Sequence, residues 1–288
     1  MSSENASGKG MSIPGGSKVQ PVSVGSARIG PGCGLVLIAG PCVIESRDHT
    51  LKLAEAIRKI AEAAKVPLIF KASYDKANRS SAHSFRGPGL EEGLKILSEV
   101  RSKVGLPVTA DVHWPHESAP AAQALNLLQI PAFLCRQTDL LVAAGRTGKP
   151  VNVKKGQFMA PEQMRLAVQK VTESGASGVL LTERGTFFGY GKLVNDMTAI
   201  PTMSAFAPVV FDATHSCQCP GEAGTHSGGR REMVPTLARA GIAAGAHALF
   251  LEVHDTPAAA KSDPATVWPL DQLAGLLDSC RRVYEGVK

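Results

Sequence analysis

Side chains able to do chemistry recur at the ends of short apolar runs in this sequence. Cys42 follows the first run and Lys71 ends the second. Asp111 and His113 follow the third, and Gln129 lies near the end of the fourth. Lys154 follows the fifth, Glu183 and Arg184 the sixth, Asp212 and His215 the seventh, and Glu252 and His254 lie at the eighth. Lys71, Lys76, Arg79, Lys154 and Arg184 form a cationic subset. Cations gathered at one mouth repel each other unless anions sit between them. Ammonium and guanidinium groups hold phosphate and carboxylate through charge-assisted hydrogen bonds. The set therefore points to a substrate with both phosphate and carboxylate, or to two phosphorylated substrates.

A second subset, Cys42, His215, Glu252 and Asp263, offers sulfur, nitrogen and carboxylate oxygens. Such a mixed set suits a borderline divalent ion such as Zn2+, Fe2+ or Mn2+. No spacing motif links the four, and the residues alone leave open a packed Cys42 thiol and a buried Glu252 ion pair. Cys217-Gln218-Cys219 is one residue short of a C-x-x-C and reads as incidental thiols. His49 and His116 read as solvated helix-start residues, His83 and His226 as loop residues facing substrate, and His247 as structural. Lys71 as a Schiff-base lysine is the rival mechanism.

These residues need a scaffold that brings eight strand ends to one face. The runs are Leu35–Ala39, Pro67–Lys71, Pro107–Ala110, Asn126–Ile130, Pro150–Val153, Gly178–Leu181, Pro208–Phe211 and Ala248–Val253. Their near-continuous apolar character suits strands buried on both faces. Between them, Leu51–Ala64, Leu90–Val104, Glu162–Val171 and Arg231–Ala244 carry helical apolar spacing. Eight such units in one chain of 288 residues predict an α/β fold, a (β/α)8 TIM barrel, whose strand C-termini share one face. A doubly wound open sheet is the alternative, but the G-x-G-x-x-G turn that would favour it is missing.

Composition narrows the partners. The net charge is +6 with cations scattered, the longest runs being pairs such as Lys154-Lys155. Nucleic-acid binding would favour clustered basic residues with aromatic neighbours, so small anions fit better and no nucleic-acid partner is expected. No segment approaches the ~18 apolar residues of a membrane span. Six cysteines lack a disulfide framework, and no secretory signal is evident. A cytoplasmic setting with reduced thiols is expected. Residues 1–20 hold five Ser and four Gly without an apolar stretch and read as a disordered arm, leaving 21–288 as a single barrel domain.

Several longer segments are specific: IAGPCVIESRD at 38–48, FKASYDKANRSS at 70–81, RGPGLEEGL at 86–94, QIPAFLCRQTDL at 129–140, NVKKGQF at 152–158, ERGTFFGYGKLVNDM at 183–197, FDATHS at 211–216 and SGGRRE at 227–232. On these segments the chain resembles the 3-deoxy-D-manno-octulosonate 8-phosphate synthase family, from about Leu35 to Leu277. The resemblance implies a barrel with a short N-terminal β-hairpin that includes Val22–Arg28, and a homotetramer. It implies a transferase that condenses phosphoenolpyruvate with arabinose 5-phosphate and water for lipopolysaccharide biosynthesis.

By matching positions, Lys71, Lys76, Gln129, Lys154 and Arg184 would hold phosphoenolpyruvate. Asn78, Arg79 and Ser80 would receive the sugar phosphate, and Arg136 would reach a neighbouring subunit's site. Lys71, Lys76, Asp111, His215 and Asp263 would form the catalytic set. A sister enzyme that uses erythrose 4-phosphate carries Lys-Pro-Arg-Thr where this chain has Lys76-Ala77-Asn78-Arg79-Ser80, so that substrate is the alternative. One branch of the family has Asn at the position of Cys42 and works without metal. Cys42 with His215, Glu252 and Asp263 implies the metal-dependent branch.

Overall fold

A computed structural model describes residues 19–78, 81, 83–187, 190–221 and 228–288. The expected arm falls outside the described residues up to residue 18. Eight parallel strands form the centre: β1 (Val36–Gly40), β2 (Leu68–Lys71), β3 (Val108–Asp111), β4 (Leu127–Ile130), β5 (Val151–Lys154), β6 (Val179–Glu183), β7 (Val209–Asp212) and β8 (Ala248–His254). Each pairs with the next, and β8 pairs with β1 in register from Ala248↔Val36 to Glu252↔Gly40, closing the barrel. The (β/α)8 expectation therefore holds, and the open sheet does not.

Between strands lie the helices α1 (Arg47–Ala63), α2 (Leu90–Glu99), α3 (Ser118–Ala124), α4 (Thr138–Arg146), α5 (Met164–Glu173), α6 (Ala199–Ser204), α7 (Val234–Ala243) and α8 (Leu273–Gly286). Helix α1 begins four residues before the apolar spacing suggests, because the Ser46 hydroxyl accepts from the His49 N–H and caps it. The expected helix to Val104 is α-helical only to Glu99, then continues as a π turn over Val100–Val104.

Alternation along each strand sorts the side chains. Leu37, Phe70, Leu128, Val153, Leu181, Phe211 and Leu251 pack outward with the helices. Val36, Ile38, Ile69, Leu127, Leu180, Val210, Ala248 and Phe250 fill the barrel interior. That interior core also contains Val22, Val24, Ala27 and Ile29, from an antiparallel hairpin that pairs Val22–Val24 with Ala27–Ile29. The hairpin turns at Gly25, whose φ of +56° and approach to Pro107 leave no room for a Cβ. Its neighbours Pro107, Gly178 and Pro208 all immediately precede strands, so the hairpin stoppers the N-terminal end. Apolar burial at one end leaves the other end for polar chemistry.

Candidate active site

On five of the strands, two residues beyond the last inward apolar side chain, the same face turns polar. Ile69 is followed by Lys71, Leu127 by Gln129, Leu180 by Thr182, Val210 by Asp212 and Phe250 by Glu252. A period of two residues keeps these on the barrel interior. The residues of the site are thus the upper layer of the same stack whose lower layer is the core.

The first tier is a directed chain of hydrogen bonds. Thr182 Oγ1 donates to Asn152 Oδ1 at 2.7 Å, Asn152 Nδ2 to Gln129 Oε1 at 3.0 Å, and Gln129 Nε2 to Asp111 Oδ1 at 2.7 Å. Ser73 Oγ donates to the other Asp111 oxygen at 2.7 Å. Burial opposes the charge on Asp111, but the Lys71, Lys76 and Lys154 ammonium groups and His113 outweigh it and hold its pKa well below the usual carboxylate range.

Above this tier, two carboxylates organise the cations. Asp212 Oδ2 receives Lys154 Nζ at 2.6 Å and His215 Nδ1 at 2.7 Å, while its Oδ1 accepts from the His215 N–H and from Thr214 Oγ1. Burial works against ionised Asp212, and His215 and Lys154 reverse that, placing its pKa well below normal. Lys154 Nζ also lies 3.9 Å from the Phe250 ring centroid, a cation–π contact. Glu252 Oε1 accepts from Lys71 Nζ at 2.9 Å and faces Lys76 Nζ at 3.7 Å and His215 Nε2 at 3.4 Å. Its Oε2 is buried without a partner. Burial disfavours the Lys76 charge, yet the carboxylates of Glu252, Asp263 and Asp111 push its pKa above the ordinary value.

Cys42, Glu252 and Asp263 bring ligand atoms within 4.8 Å of one another. Cys42 Sγ lies 3.1 Å from Asp263 Oδ2 and 2.7 Å from Ser262 Oγ. Gly40, at the end of β1, lets that strand lie close against β2, because a Cβ there would strike the Lys71 carbonyl. Burial, Glu252 and Asp263 raise the Cys42 pKa well above normal, so without a cation the thiol keeps its proton. His215 reaches the group through Glu252, its ring oriented by Asp212 from behind. A carboxylate behind a histidine is a common way to aim its other nitrogen at a metal. The free Glu252 oxygen, the thiol and the carboxylate of Asp263 fit a borderline divalent ion.

Beside this group opens a cavity of about 470 Å3, lined among others by Lys76, Asn78, Asp111, Lys154, Arg184 and His215. Arg184 Nη2 donates to Gln218 Oε1 at 2.9 Å, and its Nη1 is buried without a partner. Burial lowers the Arg184 pKa from its ordinary value, yet an arginine remains cationic at neutral pH. Two ammonium groups and a guanidinium facing one cavity are groups of the kind that hold phosphate or carboxylate through charge-assisted hydrogen bonds. A profile of the DAHP synthetase I family matches residues 17–283. The chain belongs to the DAHP synthetase I family. Relatives named 2-dehydro-3-deoxyphosphooctonate aldolase are similar throughout. That of Koribacter versatilis is 57% identical, covering 93% of this chain and 98% of the relative. That of Trichlorobacter lovleyi is 56% identical over 89% and 94%, and that of Protochlamydia amoebophila 52% over 89% and 94%.

In this member of the DAHP synthetase I family, the expected residues divide by depth. Lys76, Asn78, Asp111, Lys154, Arg184, His215 and Asp263 line the cavity. Lys71 and Gln129 are fully buried, with Lys71 Nζ bonded to the Cys42 carbonyl and Glu252, and the Gln129 amide spent on Asp111 and Asn152. An engaged, enclosed Lys71 is poorly placed to form a Schiff base. Arg79, Ser80 and His226 lie outside the described residues. His49 is bonded to Asp255 rather than solvated, whereas His247 accepts from the Val209 N–H in a structural role. Cys217 is buried, its Sγ 3.2 Å from the Ala213 carbonyl and its pKa pushed up to about 12, chiefly by burial.

Residue type and spacing alone give no role to Asn152, Thr182 or Ser262. The signal for the first two is present: a polar residue at an interior position of a fully buried strand must have a partner. Glu183 and Lys155 form another buried pair at 3.5 Å, and Glu183 Oε1 accepts from the backbone N–H groups of Arg184 and Gly185. That carboxylate fixes the turn from which Arg184 enters the cavity.

Proposed function

We propose that this chain is a synthase that condenses phosphoenolpyruvate with arabinose 5-phosphate and water, yielding 3-deoxy-D-manno-octulosonate 8-phosphate and phosphate for lipopolysaccharide biosynthesis. The observation that carries this reading is the cavity faced by Lys76, Lys154 and Arg184 beside the Cys42–Glu252–Asp263 group. The names of the similar relatives point to the same product.

In this reading Lys76, Lys154 and Arg184 hold the carboxylate and phosphate of phosphoenolpyruvate, and Lys71 adds positive potential from within the wall. Asn78, Arg79 and Ser80 receive arabinose 5-phosphate. Gln129 acts indirectly, by fixing Asp111. Carbon 3 of phosphoenolpyruvate attacks the aldehyde carbon, water adds at carbon 2, and phosphate leaves with its bridging oxygen. Cations already in place stabilise the charge that develops on the aldehyde oxygen. Asp212 holds Lys154 and His215 in fixed orientation, sparing reorganisation during the reaction.

Cys42, His215, Glu252 and Asp263 are the residues that would hold a divalent ion, Zn2+, Fe2+ or Mn2+. Such an ion supplies Lewis acidity toward the aldehyde oxygen or water. Among the described residues no helix is long and apolar enough to cross a membrane. The family resemblance extends the proposal to a cytoplasmic homotetramer with one barrel domain over residues 21–288.

Phosphate release from phosphoenolpyruvate tests the reading. Release is expected with arabinose 5-phosphate, at most weakly with erythrose 4-phosphate, and lost after chelation. Preference for erythrose 4-phosphate would overturn the substrate assignment, and full activity after chelation the metal assignment.

A further inference from the structure

A second group of ligand-type residues lies outside the cavity lining. Glu45, His49 and His254 place ligand atoms within 4.8 Å of one another. The hydrogen bonds argue against a metal there. The Thr256 N–H points at His254 Nδ1 at 2.9 Å, so that nitrogen accepts and the ring proton sits on Nε2. His254 Nε2 lies 3.3 Å from Glu45 Oε1 without an aligned hydrogen bond, and the proton it carries leaves no lone pair to offer a cation. His49 Nε2 is taken by Asp255 at 3.1 Å, which leaves Nδ1 as its one unpaired nitrogen, too few free donors with Glu45 to hold a metal.

What Glu45 does instead is visible in its other contact. Its Oε1 also accepts from the backbone N–H of Lys261 at 2.8 Å. Glu45 stands three residues after Cys42, and Lys261 two residues before Asp263. This one carboxylate therefore joins the loop that carries Cys42 to the loop that carries Ser262 and Asp263. The second loop needs holding. Asp263 has φ of 49°, a left-handed conformation that L side chains adopt at a cost. From its C-terminal side it is fixed by Thr266 and Val267, whose N–H groups both donate to the Asp263 carbonyl at 3.0 and 3.1 Å. On the N-terminal side, the bond from Lys261 to Glu45 is the corresponding tie.

We propose that Glu45 is a positioning residue that clamps the Asp263 loop against the Cys42 loop and so preorganises the divalent-ion site. The clamp holds Asp263 Oδ2 near Cys42 Sγ before any cation arrives, which lowers the ordering cost of binding. This inference rests on the metal reading given under Proposed function.

The test uses Co2+ as probe, followed through its thiolate charge-transfer absorption and by chelator competition. Full-length wild type, Glu45→Ala and Glu45→Gln are compared. Wild type should bind one equivalent. Glu45→Ala should bind roughly tenfold more weakly through loss of the charge-assisted bond, while Glu45→Gln, which keeps an acceptor oxygen, should stay within about threefold. Reciprocity adds a measurement on the unaltered protein: Co2+ must slow amide exchange at Lys261, because whatever the clamp does for the ion, the ion does for the clamp. Unchanged Co2+ affinity in Glu45→Ala, or unchanged Lys261 exchange on loading, would overturn the inference. So would a second equivalent bound in wild type and lost in Glu45→Ala, since Glu45 would then be a ligand. Absence of the thiolate band in wild type would instead defeat the metal reading itself.

Discussion

Lys71 Nζ donates to Glu252 Oε1 at 2.9 Å, both side chains being fully enclosed, while Glu252 Oε2 has no partner. A buried ion pair contributes little net stability, and the open Glu252 oxygen is free to accept a further partner. Removing one partner strands the other charge. Glu252→Gln should therefore lower stability by about 3 kcal/mol in denaturant unfolding and abolish divalent-ion affinity. The double change Lys71→Met with Glu252→Leu should recover most of the stability and none of the activity. Stability lost equally in the double variant would contradict the pairing argument.

Asp212 serves two functional groups at once, Lys154 and His215. Asp212→Asn keeps the shape but loses the charge that orients both. A fall of roughly 10- to 100-fold in kcat/KM is expected, read by steady-state kinetics, with the fold intact by circular dichroism. An unchanged kcat/KM would show that Lys154 and His215 need no such anchor.

Arg184 separates binding from turnover. Its unpaired Nη1 and its place in the cavity wall suit a fork that grips phosphoenolpyruvate. Arg184→Lys keeps the charge but not the fork. The KM for phosphoenolpyruvate should rise about tenfold or more, with kcat changing less. The opposite split would mean that Arg184 acts in the transition state rather than in binding.

Much of this arrangement was legible in the sequence, for a physical reason. A strand buried on both faces must place a polar residue where a partner or solvent awaits it, so Lys71, Lys154, Asp212 and Glu252 announce the functional end of the barrel. Alternation alone could not separate the residues that face substrate from those that support them. Lys71 and Gln129 stand one level deeper than their types suggest, because depth depends on the barrel's stagger rather than on local pattern. The Glu45–Lys261 tie joins positions 216 residues apart through a backbone N–H, which leaves no mark on side-chain composition. The hairpin was marked by the resemblance, whereas its role as stopper rests on Val24 and Ile29 reaching the barrel interior.

Acid stability should carry the signature of Glu117. Burial raises its pKa, but bonds from His113 and from the Tyr74 hydroxyl outweigh this and hold it at about 2, below the ordinary 4.5. A carboxylate depressed on folding contributes stability that is fully present above the unfolded-state value and is lost as pH falls through the folded value. Between about pH 4.5 and pH 2 this group should account for about 1 to 2 kcal/mol, its partial solvent contact screening the full effect. Glu117→Gln should flatten that part of the unfolding free energy plotted against pH. A slope identical to wild type would refute the assignment.

The central claim is that this mouth joins phosphoenolpyruvate to arabinose 5-phosphate with cleavage of the carbon–oxygen bond. Its most direct test supplies phosphoenolpyruvate labelled with 18O at the bridging oxygen, together with arabinose 5-phosphate and metal-loaded protein. Mass spectrometry then follows both products. An eight-carbon acidic sugar phosphate without label, formed one-for-one with labelled phosphate, is the predicted result. Label retained in the sugar acid, or phosphate released without any condensed product, would contradict the account.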